Sequence, residues 1–448
     1  MTPEEIRSYP PHAVAGPQDI PHAVARSRTR MEVAKVWSDN QILGRRYAIG
    51  CVALEITQRC NLDCTLCYLS EMSESTKDIP MEEIYRRIEM IRNYFGPGTD
   101  VQITGGDPTL RKREELMEVV RAIRKIGMRP TLMTNGIAAT RDLIEELVEN
   151  GLNDLAFHVD MTQERKEFKS EMDLNVVRSE YIDRARGIPL AVIFNTTVFQ
   201  GNFHEVPDLV RFFKKNTDVV GMASFQLQAD TGRGELRTRD TVINMDSMVK
   251  QIEKGAGTTI SFETARIGHP RCHRYGLTME ANGELFDVFD DSPFFELLIA
   301  KTTSLELDRT RPLKAAGAIL KWLFTTPEVL WPGVKFLLTK TWKMRSAILK
   351  GKGKIHKLSF FMQNFMDASR LEVDRVHACS FMVITPQGPM SMCLHNAKRD
   401  AYILQPLKIE GQTGKVWNPL SGKMEPAHVA KVTSANAAMS HKAVADKA

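Results

Sequence analysis

Three of the chain's seven cysteines stand in one loop: Cys60, Cys64 and Cys67 fall within "QRCNLDCTLCYLSE", residues 58–71. Thiolates at C-x3-C-x2-C spacing form a soft donor set, suited to zinc, copper(I) or an iron–sulfur cluster. A structural zinc site is closed by four ligands. This loop offers three and contains no histidine. Three thiolates on a four-iron cube leave one iron open to a small molecule. The competing reading is a zinc site completed by a distant Cys or His, which would make the chain a non-catalytic scaffold.

The second half carries further candidates. Cys272 opens the β-rich run "CHRYGLTMEANGELFDVFD", and Cys379 opens "CSFMVITPQGPMSMCLHN", which contains Cys393. Each run turns at a pair ending in glycine, Asn282-Gly283 or Gln387-Gly388, where glycine accepts the positive φ of a tight hairpin. Cys272, Cys379 and Cys393, with His269, His273, His377 and His395 close by in sequence, could hold a second metal cluster. Three unrelated free thiols are the alternative. Cys51 alternates with core-facing residues and reads as a buried apolar filler.

These residues need elements to position them. "AIGCVALEIT" is a β-rich run ending just before the cysteine loop, and "MEEIYRRIEMIRNYF" has helical spacing. Strand and helix patterns then alternate through "DVQITGG", "RPTLMTNG", "DLAFHVD", "IPLAVIFNTTV" and "VVGMASFQLQ". Six such units between residues of about 50 and 255 predict an α/β fold with a parallel sheet. The count fits a partial (β/α)6 TIM-like barrel or a doubly wound sheet, and both place chemistry at the C-terminal strand ends. The expected organisation is an N-terminal arm over 1–45, a core over 46–255, a C-terminal extension of helices and short β-hairpins over 256–425, and a flexible tail over 426–448. Residues 1–30, rich in Pro and Ala, read as mobile. Residues of about 295–365 read as helices.

The three-cysteine loop followed by Tyr68 resembles the signature of radical S-adenosylmethionine enzymes, over residues of about 50–255. "GGDP", Gly105 to Pro108, resembles that family's Gly-Gly-Glu-Pro motif with Asp in place of Glu. Thr134-Asn135-Gly136 ends the third strand, His158-Val159-Asp160 the fourth, and Asn195 lies on the fifth. The resemblance implies a [4Fe-4S] cluster on Cys60, Cys64 and Cys67, with the amino and carboxylate groups of S-adenosyl-L-methionine on the fourth iron. Cleavage of the sulfonium bond would give methionine and a 5′-deoxyadenosyl radical that abstracts a substrate hydrogen. Tyr68, Gly105, Gly106, Asp107, Pro108, Asn135, Asp160 and Asn195 are the implied cosubstrate-binding residues. The glycines would let backbone approach the methionyl ammonium, and Asp107 would accept from it with one methylene less reach than Glu. For a strand-end Asn or Asp, a turn or helix cap is the plainer role. An electron donor such as a flavodoxin or ferredoxin is also implied.

Cys379-x8-Gly388-x4-Cys393 resembles the SPASM/twitch-like hairpins that hold auxiliary [4Fe-4S] clusters in that superfamily. The two hairpins with "SFQLQADTGR", residues 224–233, resemble tetraether lipid synthase-like members, which implies an apolar, lipid-like substrate. A peptide- or cofactor-maturing radical enzyme is the alternative, because such hairpins are shared with that group.

Composition narrows the partners. A net charge of +5 over 448 residues does not suggest a nucleic-acid binder. An odd, unevenly spaced cysteine set argues against a secreted disulfide framework and for a reducing cytosol. The first 30 residues contain no apolar stretch of signal-peptide type, and no run of 18 apolar residues occurs. Residues 311–357 hold 11 Lys and Arg against one acid, Glu328, together with Trp322, Trp331 and Trp342. That combination suits a helix lying in a membrane interface, at the inner face of a membrane. It equally suits a helical subdomain with solvated lysines.

Overall fold

The computed structural model describes residues 1–234, 239, 243–301 and 312–430. Most of the expected tail, 431–448, and the helical reading of 302–311 lie outside the described residues.

The N-terminal arm is structured, contrary to the mobile reading. It forms α1 (Pro3–Ser8) and α2 (Ile20–Val33). Ala23, Ser27 and Met31, four residues apart, make a buried face on α2, and Ile6 of α1 is buried too. The Met1 ammonium donates to Leu371 O at 2.6 Å. Proline was a misleading signal here: Pro3 and Pro21 sit in the first turns of the two helices, where the missing N–H has no intrahelical partner to lose.

Six strand–helix units follow as expected. They are β1 (Cys51–Thr57) and α3 (Met81–Phe95), β2 (Asp100–Gly105) and α4 (Arg113–Lys125), and β3 (Arg129–Thr134) and α5 (Arg141–Glu149). Then come β4 (Asp154–His158) and α6 (Asn175–Ala185), β5 (Ala191–Val198) and α7 (Val206–Lys214), and β6 (Val220–Leu227) and α8 (Met245–Ala256). Strands β1 to β6 pair in parallel in chain order. Val52, Leu54 and Ile56 point to the helix side and are wholly buried, whereas Ala53 and Glu55 between them face a central cavity. This period of two is the strand repeat: the main core lies between sheet and helices, and the lumen is lined by both polar and apolar side chains.

The extension begins with the hairpin β7 (His273–Ala281) and β8 (Glu284–Asp287), whose turn residues Asn282 and Gly283 both have positive φ. Helices α9 (Ser292–Lys301), α10 (Pro312–Thr325) and α11 (Pro327–Lys350) come next. Residues 356–364 then depart from the helical reading and form a strand, β9 (His356–Asn364). Gly351 and Gly353 separate it from α11, and its Leu358, Phe360 and Met362 alternate with Ser359, Phe361 and Gln363. Then follow α12 (Val373–His377), the hairpin β10 (Phe381–Thr385) with β11 (Gly388–Ser391), α13 (Met392–Ala397) and α14 (Asp400–Ile403).

The extension does not stand apart from the core sheet. β10 pairs parallel with β1, and β9 pairs parallel with β6. The six parallel strands thus become eight, in the order β10-β1-β2-β3-β4-β5-β6-β9, within an 11-stranded sheet. Side chains close the seam between the outer parallel strands. Phe361 of β9 and Phe381 of β10 have ring centroids 5.8 Å apart, and His273 lies 5.4 and 4.6 Å from the same two rings. No helix among the described residues is long and apolar enough to cross a membrane.

Candidate active site

The cysteine loop leaves the C-terminal end of β1 and is held from several sides. Asn135 Nδ2 donates to Asn61 Oδ1 at 2.6 Å and lies 3.9 Å from Cys60 Sγ. Thr65 N donates to Thr162 O at 2.7 Å. Beyond β6, Arg233 N donates to Leu69 O at 2.8 Å and Gly234 N to Cys67 O at 3.1 Å. A Cβ on Gly234 would stand 2.1 Å from Cys67 N, so only glycine lets this segment clasp the loop. The Arg233 side chain bridges Asp63 and Glu74. Its buried Nε has no hydrogen-bond acceptor among the described residues, and its charge lies beside Cys67.

Gly105 and Gly106 are required at the end of β2 by the packing of the chain itself. A Cβ on Gly105 would meet Thr57 O at 1.9 Å, and one on Gly106 would meet Arg59 O at 1.9 Å. Their bareness therefore serves the packing of β2 against the root of the cysteine loop. Asp107 lies on the cavity wall but its carboxylate is occupied. It accepts from Thr109 N at 3.0 Å, Thr134 Oγ1 at 2.9 Å and Asn135 N at 2.8 Å. Asp107 thus ties the β2 and β3 ends together. Pro108 starts a short turn over Pro108–Leu110 and is buried.

Asp160 is fully buried behind His158, which faces the cavity in its place. Its carboxylate takes His158 Nε2 at 2.6 Å, Thr197 N at 2.6 Å and Thr162 N at 2.9 Å. Burial opposes charge on both groups, and their attraction outweighs it. His158 is raised above its ordinary pKa, and Asp160 is held down at about 2. From His158 a polar rung crosses the sheet. Asn195 Nδ2 is 3.4 Å from His158 Nδ1, Ser224 Oγ donates to Asn195 Oδ1 at 2.9 Å, and Gln363 Nε2 donates to Ser224 Oγ at 3.1 Å. All four side chains line the cavity. Below them Arg178, fully buried, pairs with Glu171 and donates to Val159 O at 2.8 Å, fixing the end of β4.

Tyr68 is anchored on the opposite wall. Its hydroxyl donates to Gly105 O, and the Arg399 guanidinium lies 4.7 Å over its ring. Arg399 pairs with Glu55 at 2.8 Å, and both are almost fully buried. Burial would raise Glu55, but Arg399 outweighs it and holds the carboxyl at about 2. Sequence reading did not mark Arg399 or Gln363, and it named His158 and Ser224 only as parts of longer motifs without a binding role. Strand alternation could have given His158 and Ser224. Gln363 was hidden by the helical reading of its segment, and Arg399 carries no local signal.

The second cysteine group falls in one neighbourhood, where Cys379 acts electrostatically on the other two, but among the described residues it does not converge on one ion. Cys272 precedes β7, Cys379 precedes β10 and Cys393 lies in α13. Arg375 Nε donates to Cys272 Sγ at 3.1 Å, and Met366 N donates to Cys393 Sγ at 3.4 Å. Burial pushes the Cys272 thiol up to about 11 despite Arg375, and it raises Cys393 further, with Cys379 adding to both. Cys51 is buried in the barrel seam beside Phe361 and Phe381, the apolar filler expected.

Cys60, Cys64 and Cys67 open onto a cavity of about 480 Å³ inside the barrel. Burial raises the Cys60 and Cys64 thiols, so binding a metal there must release protons. Among the described residues no three His, Cys, Asp or Glu side chains converge on one ion. The thiolates of an iron–sulfur cube each bind a different iron and need no such convergence. The loop, the Arg233 charge beside Cys67 and the adjoining cavity fit the cube with one open corner.

A parallel barrel with a three-thiolate loop at the strand ends defines an iron–sulfur enzyme of the S-adenosylmethionine type. Residues 54–213 match the Radical SAM superfamily model, so this segment of the chain is a radical SAM domain. It is 23% identical over 411 residues to a 7,8-dihydro-6-hydroxymethylpterin dimethyltransferase of Methanocaldococcus jannaschii, covering 83% of this chain and 81% of that one. It is 31% identical to a probable GTP 3′,8-cyclase of Pyrococcus abyssi, over 39% of this chain and 56% of that one. It is 25% identical to a PqqA peptide cyclase of Bradyrhizobium diazoefficiens, over 45% and 53%. The chain thus spans only about half of the latter two relatives. None of these comparisons supports the likeness to tetraether lipid synthases.

Proposed function

We propose that this radical SAM enzyme modifies a small heterocyclic or peptide substrate in the maturation of a cofactor or peptide. The carrying observation is the cavity of about 480 Å³ into which Cys60, Cys64 and Cys67 open. A [4Fe-4S] cluster with S-adenosylmethionine, when bound there, supplies a 5′-deoxyadenosyl radical for hydrogen abstraction. The chain's own part is to hold, orient and shield. Asn135 and the clasp of Arg233 and Gly234 hold the loop. Asn195 and His158 offer hydrogen bonds to the cosubstrate, with Asp160 fixing the imidazole from behind. Tyr68, stacked on Arg399, gives a rigid wall.

The polar rung favours a hydrogen-bonding substrate over the lipid-like one. Asn195, Ser224 and Gln363 already bond to one another along the rung, and their remaining donors and acceptors are available to a polar substrate. The names of the relatives, acting on a pterin, GTP and a peptide, point the same way. Cys272, Cys379 and Cys393 are candidates for an auxiliary cluster near the barrel seam.

The test is anaerobic reconstitution followed by dithionite. The chain should then release 5′-deoxyadenosine from S-adenosylmethionine. A fully iron-loaded sample that releases none would overturn the reading. Cys393→Ala should lower iron by up to one cluster per chain while sparing uncoupled cleavage, and unchanged iron would remove the auxiliary cluster.

A further inference from the structure

Helices α10 and α11 carry an apolar face that no described part of the chain covers. Trp331, Leu338, Trp342 and Leu349 fall at spacings of 7, 4 and 7 residues, which aligns them along one side of α11. Their exposure runs from 65% at Trp342 to 78% at Leu349. The opposite side of the same helix is used inward, through Val329, Met344 and Ala347. On α10, Leu313, Leu320 and Phe324 repeat the spacings of 7 and 4, with Leu313 89% exposed. Isolated exposed leucines are ordinary, but a contiguous stripe with tryptophans marks an interaction surface.

Charge selects the occupant. Residues 311–357 contain 11 Lys and Arg, and their one acid, Glu328, is paired with Lys301. Lys340 and Lys343 are taken up by Asp290. Lys314, Lys321, Lys335, Arg345 and Lys350 are exposed beside the apolar stripes. A second copy would set this cationic face against itself. An anionic bilayer offers both an apolar layer for the stripe and phosphates for the lysines, with tryptophan at headgroup depth. Neither helix is apolar enough to cross, which is the pattern of an element lying in the interface plane.

We propose that α10 and α11 dock the enzyme on the surface of an anionic membrane. This goes beyond the catalytic reading, and it does not require the substrate to be a lipid. The full-length chain should float with phosphatidylglycerol-containing vesicles, bind pure phosphatidylcholine far more weakly, and bind less in high salt. Its tryptophan emission should shift to the blue on binding. A W331S/L338S/W342S/L349S variant should partition at least about tenfold less. A K314E/K321E/K335E/R345E variant should lose most of the preference for anionic lipid. Both should still cleave S-adenosylmethionine, which keeps this test separate from the catalytic one. The proposal is overturned if the wild type does not float with anionic vesicles or if the serine variant floats as well as the wild type. It is also overturned if the wild type is a dimer that the serine variant dissociates.

Discussion

On the proposed reading each cysteine of the loop holds one iron of the cluster, so Cys60→Ala, Cys64→Ala and Cys67→Ala should each abolish 5′-deoxyadenosine formation and reduce bound iron. Asp160 works through His158. Asp160→Asn removes a buried charge-assisted hydrogen bond, worth about 1.5–3 kcal/mol, and should lower the His158 pKa in an NMR titration. The sign of the pH effect follows. His158 is raised, so its share of stability is full below its ordinary 6.5 and is lost as pH rises through the folded value. Asp160 is depressed, so its share is full above 3.8 and is lost as pH falls through about 2. The pair therefore stabilises most between pH 3.8 and 6.5. Thermal unfolding across pH should show this advantage in the wild type and not in Asp160→Asn. Equal pH profiles would refute it.

Elements are joined by a few tight approaches. Gly106 lets the end of β2 settle against the root of the cysteine loop, with Arg59 O where a Cβ would be. Gly106→Ala should displace the loop and cut iron loading several-fold while leaving the circular dichroism spectrum intact. The Glu55–Arg399 pair ties β1 to the segment after α13, deep in the wall beside Tyr68. Glu55→Gln strands a buried guanidinium and should cost about 3–5 kcal/mol in chemical denaturation. Removing both partners, as Glu55→Gln with Arg399→Met, should cost less than that single change.

At the scale of the whole molecule, the barrel is completed by chain from the far end of the sequence and sealed by Phe361 and Phe381. Phe381→Ala should destabilise by about 3–5 kcal/mol and loosen the seam, seen as faster amide exchange in β9 and β10. The sequence by itself determined the six parallel units, the cysteine loop and the hairpin turns, because each depends on local spacing: period two, period 3.6, or three thiols within eight residues. Tertiary structure alone decided the rest. That His158 faces the lumen while Asp160 lies buried behind it depends on the turn that follows β4, where Asp160 caps the next short helix. That β9 and β10 border β6 and β1 depends on long-range pairing, which leaves no periodic trace in either partner. The meeting of Cys272, Cys379 and Cys393, drawn from three elements more than 100 residues apart at the extremes, and of Arg399 with Tyr68, likewise follows from chain crossings that a linear reading does not contain.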